Sequence, residues 1–571
     1  MEWKIPRLDE QQVKEYVEKL NVSIPMASIL LDLNIELDTA KKLLNDPTDL
    51  FDISASIFGL EDVAKNLLKQ EGRKIKIFAD YDVDGITSGF ILNNYLEILG
   101  YDTTVYYPSR EDGYGLNIEW CREITSQNDP TQLTVITVDN GITANEPISY
   151  LRDLGTQVYI IDHHEPIDKY RLPHANAICD AWVDEEYGTH LCAAAVVWKL
   201  VIRMAILRKV SAEEINDTMM AYLPYAALAT IADVMPPCTE NRAIIQEGLR
   251  AINNGFSPVL KAMMAAENIN TMRTKDIVWT IAPGLNACSR MNEIDLAKKI
   301  FDKEGQEKSS SIKELAYKIR DLNRKRKTIT DKAIKEILDT HNFTNDPVVF
   351  ADGSKYPLGV IGILSGKLCE ITEKPAIVYQ VKDGIGYGSA RAPIGIDIKA
   401  IVNYEAEKGN AIIALGHAEA CGVQINPDKL SEFNKDVASS NLIEVVPSKK
   451  EDVRINAVIS TNDMTYATMK EINSFGYTSK DIPTLGLLNI KVEPILWATT
   501  AGKKHIIFKL GSSSKYAVAW NGYDRYEELG KPDRMNLSGT LDTGAYCRYC
   551  KDVSLSEHST VFTVDKMMDA R

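Results

Sequence analysis

Residues 74–88, KIKIFADYDVDGITS, decide how the rest of the sequence is interpreted. The apolar run at their start predicts a buried strand, and three alternating acids follow it: Asp80, Asp82 and Asp84. Gly85 then opens an apolar stretch of helical character. Open α/β sheets carry their chemistry where a strand turns into a helix. Because three carboxylates repel one another there, they indicate either an exposed acidic loop or a site for a hard divalent cation such as Mg²⁺ or Mn²⁺.

The composition limits the class of protein. The chain has 571 residues, and this length predicts three or four domains. The net charge of −15 argues against a protein that coats nucleic acid through bulk charge, although a local Arg/Lys groove can still bind phosphates. The sequence shows no signal peptide and no apolar run long enough to span a bilayer, so we expect a cytoplasmic protein without a membrane partner.

The cysteines favour reduced thiols over a disulfide framework. There are nine, an odd number, and they are scattered along the chain. The single CxxC pair, Cys547 and Cys550, is weak evidence for zinc because no second ligand pair accompanies it.

The order of apolar runs predicts an α/β protein with five parts. Residues 1–50 are predicted to form an N-terminal helical arm. Residues 51–308 alternate strand and helix, the pattern of a parallel sheet with crossover helices. Residues 309–342 are charged, contain no Gly or Pro, and predict a long connector helix. A second α/β domain is expected over 343–445 and a small β-barrel or sandwich over 446–571.

Later strand ends offer partners for the first three acids. The third predicted strand ends at Asp139, and the fourth runs directly into Asp162, His163 and His164. A later helix ends at Asp233. Parallel topology can bring such ends to one edge of a sheet. A lone Asp at a strand end is more often a helix cap, but capping does not explain two adjacent histidines in a chain that has only eight.

Four motifs resemble the signature motifs of the DHH phosphoesterase superfamily, in order and at plausible spacing. They are DYDVDG, VDNGI, IDHHEP and IADV. Further segments are similar to the RecJ exonucleases, and these are YYPSREDGYGLN (106–117), IAPGLNACSR (281–290), GSARAPIGID (388–397) and LGHAEACG (415–422). The last two lie in the region similar to the DHH-associated domain, and the β-rich C-terminal region is similar to the family's OB-fold. The resemblance covers about residues 25–545.

The resemblance implies phosphodiester hydrolysis with two divalent ions, Mn²⁺ or Mg²⁺. The metal ligands that it implies are Asp82, Asp84, Asp139, His163 and Asp233. Asp139 matches the bridging position, and Asp80 could be a ligand or a helper. Asp162 would orient its neighbours, and His164 would face the phosphate, stabilising charge or assisting the leaving oxygen.

Substrate contacts are implied in the same way. The residues in the matching motifs are Arg110, Arg290, Ser389, Arg391 and His417. Arginine forks match phosphate oxygens bidentately, whereas outside such motifs a surface salt bridge is the commoner role. Trp520, Tyr523 and Tyr526 are candidate stacking platforms, with barrel core as the more frequent alternative.

The sequence departs from the family pattern in three places. Phe78 stands where some members carry a histidine, and Tyr356, Pro357 and Leu358 replace a usual Trp-His pair. The glycine-rich motif begins with Leu415 where two glycines are usual. These departures leave the implied metal ligands in place and bear on how a strand is held.

The implied function is a 5′→3′ exonuclease on single-stranded DNA in repair and recombination, with the strand passing between the two α/β units. A single-strand-binding protein or a helicase would be its partner. One alternative is a phosphodiesterase on oligoribonucleotides or cyclic dinucleotides, which the long connector and barrel argue against. Another is a catalytically silent replication scaffold, which the retained ligand set argues against.

Overall fold

A computed structural model describes most of the chain. The described residues are 2–53, 57–113, 115–184, 187–302, 310–439, 452–498, 504–543 and 560–570. Within these ranges no helix has the length and apolar character needed to cross a bilayer. The CxxC pair at Cys547 and Cys550 lies outside the described residues.

Helices dominate the N-terminal 50 residues. The elements are β1 (Glu2–Lys4), α1 (Glu10–Leu20), α2 (Ile24–Asp32), α3 (Leu37–Asn45) and a 3₁₀ turn over Pro47–Leu50. Six residues of α2 are buried, so this helix packs into the main hydrophobic core.

The first α/β unit is built on a five-stranded sheet. Its strands are β2 (Lys74–Ala79), β3 (Asp102–Tyr106), β4 (Leu133–Val138), β5 (Gln157–Ile161) and β6 (Ala177–Cys179). Their order is β3–β2–β4–β5–β6, and every pair is parallel, which confirms the predicted parallel sheet. All six residues of β4 are buried, as expected for a strand covered on both faces. The carboxyl ends of β2, β4 and β5 therefore lie side by side.

Helices surround this sheet. They are α4 (Leu60–Leu67), α5 (Val83–Ile98), α6 (Ile118–Gln127), α7 (Asn145–Asp153), α8 (Ala193–Leu207), α9 (Ala212–Ala232), α10 (Thr239–Asn253), α11 (Pro258–Ala266), α12 (Thr274–Asp276), a π-helical turn over Ile277–Ile281, α13 (Ala282–Arg290) and α14 (Ile294–Phe301). The long helix α15 (Ser310–Thr340) occupies the segment predicted as a connector. It packs on α11 and α13 of the first unit and on α16 (Ile361–Thr372) of the next unit.

The second unit is a mixed sheet. Its remaining elements are β7 (Val349–Asp352), β8 (Ala376–Lys382), β9 (Ile385–Arg391), α17 (Ile398–Glu407), β10 (Ala411–Gly416), β11 (Ala420–Ile425) and α18 (Leu430–Ser439). The order is β10–β11–β9–β8–β7, with only β7 and β8 parallel. The sequence pattern found β7 and β8 but not the three antiparallel strands.

The C-terminal region closes into a five-stranded barrel. Its elements are β12 (Asp452–Arg454), β13 (Ala457–Val458), α19 (Tyr466–Ser474), β14 (Leu485–Ala498), β15 (Lys504–Leu510), β16 (Tyr516–Ala519), α20 (Tyr523–Glu528), β17 (Arg534–Thr543) and β18 (Thr560–Asp569). The circuit β14–β15–β16–β18–β17 closes because β17 also pairs with β14. The N-terminal β1 pairs in parallel with β12. The fold class is confirmed, and the domain boundaries drawn from the sequence stay predictions.

The candidate stacking residues of the barrel have different environments. Tyr526 is buried and packs edge-on against Phe508, so the core alternative holds for it and it cannot act as an exposed platform. Trp520 is 48% exposed and contacts the ring of His505. Tyr523 begins α20 and is partly buried.

A buried ion-pair cluster joins α8 to α10. The Lys199 ammonium, 3% exposed, lies 2.6 Å from Glu240. The same carboxylate accepts the Tyr187 hydroxyl and lies 3.2 Å from His190 Nε2. Burial opposes ionisation of Glu240, but His190 and Lys199 outweigh it and hold the pKa of this carboxyl at about 2. Burial also opposes the charged form of His190, yet hydrogen bonds with Cys238 and Glu240 raise its pKa to about 9.

We expect Glu240→Gln to lower the free energy of unfolding by about 3–5 kcal/mol at neutral pH, because Lys199 would stay buried without its carboxylate. Glu61→Gln is the matched control, since the Glu61–Arg203 pair is about a third exposed on each side and should contribute at most about 1 kcal/mol. Urea denaturation of both variants measures the difference, and equal losses would contradict the expectation.

The same comparison has a pH dependence. The pKa of His190 is raised, so its stabilising contribution is complete below its ordinary value of 6.5 and is lost as the pH rises through about 9. The stability difference between the wild type and Glu240→Gln should therefore narrow over that interval. A difference that widens with pH would contradict the pairing.

Candidate metal centre

Adjacent strand ends of the first sheet carry the predicted acids. Asp80 follows β2, Asp139 follows β4 and Asp162 follows β5. Because β2, β4 and β5 are parallel neighbours, these three residues reach one edge of the sheet. Asp139 has a left-handed backbone (φ 62°), which is uncommon for a residue other than glycine and is often found at functional sites.

Helix N-termini hold two further acids. Asp82 caps α5, and its carboxylate accepts the backbone N–H groups of Asp84 (2.9 Å) and Gly85 (3.1 Å). The buried carboxylate of Asp84 accepts the N–H groups of Ala193 (2.8 Å) and Ala194 (2.7 Å), the first residues of α8. A helix N-terminus favours negative charge, so the two N–H groups of α8 offset part of the cost of burying a charged Asp84.

Gly85 has a different role from the predicted one. It does not open the helix, because α5 already begins at Val83 and Gly85 lies in its first turn. A Cβ atom at this position would lie 2.3 Å from the Asp80 carbonyl oxygen. Only glycine therefore lets the helix start this close to the strand end.

Among the described residues, three groups of side chains could each hold a cation, with ligand atoms within 4.8 Å of one another. The groups are Asp80, Asp82 and Asp139; Asp139, His163 and His164; and Asp84, His163 and Asp233. Asp139 and His163 each belong to two groups. The structure thus brings together every residue predicted as a metal ligand, and it places Asp139 between the Asp80–Asp82 pair and the histidines, where a bridging carboxylate would lie.

The imidazole of His163 lies between three of the carboxylates. Its Nε2 atom lies 3.1 Å from Asp139 Oδ1, 3.5 Å from Asp84 Oδ2 and 3.8 Å from Asp233 Oδ2. Burial and the neighbouring His164 lower the pKa of His163 to about 4. The imidazole is therefore neutral at physiological pH, the form that binds metal.

The donor set fits divalent cations. Asp80 Oδ1 is buried and has no hydrogen-bond partner among the described residues. Burial and the charge of Asp82 raise the pKa of Asp80 to about 8 and that of Asp233 to about 7. The pKa values of Asp84 and Asp139 are also raised, by burial and then by neighbouring carboxylates. Oxygen donors with one or two imidazoles suit Mg²⁺ or Mn²⁺, and their charge would remove this repulsion.

Asp162 supports both histidines. Its Oδ1 accepts the His163 backbone N–H and lies 2.8 Å from His164 Nδ1, and its Oδ2 accepts the Ile142 N–H. Burial disfavours the charged form of His164, but the hydrogen bond and charge of Asp162 raise its pKa to about 9. The same hydrogen bond outweighs burial at Asp162 and lowers the pKa of its carboxyl. His164 is thus a cation beside the predicted ligands, and its side chain is 45% exposed.

The predicted phosphate-binding arginines form a cluster that starts beside the carboxylates. The Arg110 guanidinium lies 4.2 Å above the ring of Tyr81, the residue between Asp80 and Asp82, and its Nε donates to Ser289. Arg290 at the end of α13 donates to the Gly359 carbonyl (3.0 Å).

The second sheet supplies the other members. Arg391 donates to Ser389 Oγ (2.9 Å) on β9, so the predicted pair lies together. His417 lies in the exposed turn between β10 and β11. The structure does not place its ring beside the arginines in any contact of the described residues.

Sequence reasoning missed Arg326 of α15. Burial, and then the charges of Arg110, Arg326 and Arg391, lower the pKa of Arg290 to about 9, so Arg290 lies within electrostatic reach of the other three guanidinium groups. In the described part of the chain the four guanidinium groups donate to uncharged acceptors and form no ion pair within 4.0 Å; Arg326, for example, donates to Asn323 Oδ1. The spacing of residues 323, 326 and 330 could have identified it, because residues three and four positions apart share one face of a helix such as α15.

Known proteins show similarity over the whole chain. The DHH family, N-terminal domain, matches residues 74–230, and the DHHA1 domain matches residues 345–440. The single-stranded-DNA-specific exonuclease RecJ of Bacillus subtilis (strain 168) is 28% identical over an alignment of 574 residues, which covers 95% of this chain and 68% of that protein.

Solved structures agree with the fold. The crystal structure of RecJ from Thermus thermophilus in complex with Mn²⁺ has a TM-score of 0.76 at 20% identity and covers 100% of this chain and 80% of that one. The complex with Mg²⁺ gives 0.71 at 19% identity, covering 100% and 79%. These similarities confirm the parallel-sheet domain, the second α/β domain and the barrel in one arrangement.

We expect Asp139→Asn to stabilise the metal-free protein, because it removes one charge from the buried carboxylate cluster. Mn²⁺ at about 100 times its dissociation constant should raise the free energy of unfolding of the wild type by about 2.7 kcal/mol and that of the variant by much less. Thermal denaturation with EDTA and with Mn²⁺ measures both effects. Asp153→Asn, an exposed acid of α7, is the control, and an equal response of all three proteins would contradict the site.

Proposed function

The chain is a RecJ-like protein of the DHH family, and from that premise we propose that it is a metal-dependent exonuclease that degrades single-stranded DNA from the 5′ end by a two-metal mechanism. The observation that carries the proposal is the position of Asp139, which belongs to two groups of donor atoms at once. A shared carboxylate is what a pair of ions a few ångströms apart requires.

Each half of the site has its own ligands in this proposal. Asp80, Asp82 and Asp139 would hold one ion, and Asp84, His163 and Asp233 would hold the other, since Asp139 also lies 3.1 Å from His163. Mn²⁺ or Mg²⁺, the ions in the two Thermus thermophilus complexes, would supply a nucleophilic hydroxide at neutral pH and polarise the scissile P–O bond.

His164 acts on the phosphate rather than on the metals. Asp162 keeps it protonated through the hydrogen bond to Nδ1, so Nε2 also carries a proton. This cation stabilises the charge that develops on the phosphoryl oxygens or gives its proton to the departing oxygen. Asp162 itself stays ionised, because His164 and the Ile142 N–H hold its charge.

The arginine cluster supports a strand as substrate. Arg110 comes from the loop after β3, Arg290 from α13, Arg326 from the connector helix and Arg391 from the second sheet. Guanidinium groups without carboxylate partners attract phosphates, and these four come from both α/β units and from the helix that connects them. A strand bound between the units would present its end to the carboxylates beside Tyr81.

Two other functions are less well supported. A small-substrate phosphodiesterase needs neither the long helix α15 nor the barrel, and comparing turnover of a dinucleotide with that of a long strand decides between them. A silent scaffold would have no reason to keep six donors converging on one site. We propose a role in DNA repair and recombination in the cytoplasm, with a single-strand-binding protein or helicase as partner.

End-labelled DNA tests the activity. With Mn²⁺, a 5′-labelled single strand should lose its label as mononucleotides at once, whereas a 3′-labelled strand should shorten progressively. Duplex DNA and single-stranded RNA serve as substrate controls, and Asp139→Ala should reduce the rate by at least about a thousandfold. Degradation from the 3′ end, or activity that survives Asp139→Ala, would overturn the proposal.

Arg326 offers a second test of strand binding. Arg326→Ala should weaken single-strand binding about tenfold and reduce the slope of log affinity against log salt by about 0.7, the effect of one lost phosphate contact on a single strand. Lys325→Ala is the matched control, since this neighbour on α15 removes the same charge from an exposed position. Fluorescence anisotropy over a salt series measures both, and identical slopes for the two variants would contradict the assignment.

A further inference from the structure

The second sheet has one face that is only partly covered. Helices α17 and α18 cover the opposite face, where the core includes Val423 and Phe433. On the first face, α15 and α16 pack on β7, β8 and β9, and Val378 of β8 lies in their core. The same face of β11 and β10 is open, and Leu415 of β10 is 66% exposed there.

Strand register shows which residues share this open face. Ser389 of β9 pairs with Gly422 of β11, which pairs with Leu415 of β10. Directly paired residues of antiparallel strands point to the same face of the sheet. Val378 of β8 pairs with Ser389, so Ser389, Gly422 and Leu415 lie on the same face as Val378.

A parallel row lies two residues along the strands. Tyr387 of β9 pairs with Gln424 of β11, and Gln424 pairs with Ile413 of β10. Tyr387 is 38% exposed and Ile413 is 37% exposed. The two rows together form a strip that we call the open strip, defined by Tyr387, Ile413, Leu415, Gly422 and Gln424.

The open strip is flat in the middle. Among the described residues, a Cβ atom at Gly422 would meet only the Leu415 carbonyl oxygen, at 3.8 Å, so none of them lies directly above this glycine. Three apolar side chains therefore border a bare patch of backbone. This surface matches the π-face of a base better than it matches a shaped protein side chain.

The open strip begins beside Ser389 and Arg391, the pair predicted to bind phosphate. Ser389 heads the first row and accepts a hydrogen bond from Arg391. A Cβ atom at Gly362, in the first turn of α16, would lie 3.3 Å from Ser389 Oγ, so α16 closes the other side. Neighbouring strands are about 4.8 Å apart, which places Leu415 about 10 Å from Ser389 across the sheet.

We infer that the open strip is a platform on which unpaired bases of the bound strand stack, while Arg391 and Ser389 hold the adjoining phosphate. This inference rests on the proposed function and adds an apolar contact to the bases beside the charged contacts of the arginine cluster. Gln424 lies between the apolar side chains and can exchange hydrogen bonds with base edges. Three apolar residues are far fewer than the roughly 20–30 per side of a stable protein interface, which favours a strand as occupant.

Abasic DNA separates base stacking from phosphate binding. The probes are a labelled oligothymidylate and an abasic strand of the same length and charge, and both are tested by anisotropy on the full chain carrying Asp139→Asn to prevent cleavage. This parent protein should bind the abasic strand about tenfold more weakly. Adding Tyr387→Ala and Leu415→Ala together should reduce oligothymidylate affinity about tenfold and leave abasic affinity unchanged.

Ile371→Ala is the matched control, because Ile371 is 54% exposed at the far end of α16 and should change neither affinity. Equal thermal midpoints show that the exposed substitutions leave the fold intact. No loss on oligothymidylate, or equal loss on both strands, overturns the platform while hydrolysis by the wild type still supports the proposed function. A wild type that neither binds nor hydrolyses single strands overturns both.

Discussion

The crowding of buried carboxylates at one sheet edge is the constraint on which the rest of the structure depends. Asp80, Asp84 and Asp139 are all at most 3% exposed, and burial and neighbouring carboxylates raise the pKa of each. Backbone N–H groups at helix N-termini stabilise two of the carboxylates by donating hydrogen bonds to them. Those of α5 donate to Asp82 and those of α8 donate to Asp84. Three parallel strand ends and two helix N-termini thus meet at the site where the carboxylates would bind cations.

A second concentration of charge, of opposite sign, lies next to the first. Arg110, Arg290, Arg326 and Arg391 come from four different elements and stay without carboxylate partners in the described ranges. Neither α/β unit holds this cluster alone. Gly359 allows the two units to approach closely, since a Cβ atom there would lie 2.4 Å from the Arg290 backbone. The geometry between acids and arginines is therefore set by the packing of α13 and α15 against the second unit.

Local pattern was sufficient for much of the first unit and insufficient elsewhere. The strands β4 and β5 lie where their continuous apolar runs predicted, because strands buried on both faces leave an unbroken signal. The antiparallel strands β9 to β11 were missed, since glycines and an open face break their alternation. The partner of β18 is set by closure of the barrel, which no local window contains.

The candidate site shows the same division. Parallel topology was enough to gather Asp80, Asp139 and His163, whereas Arg326 was indistinguishable from its charged neighbours until the phase of α15 was known.

The hydrogen bonds that hold Asp84 have a consequence for biosynthesis. The two amides come from residues 109 and 110 positions later in the chain, so a nascent polypeptide that has emerged only through the DYDVDG segment holds the acids without their support. Asp84 therefore acquires its backbone donors only after α8 has been synthesised and has packed on α5, and Asp233 of the same candidate site is synthesised later still.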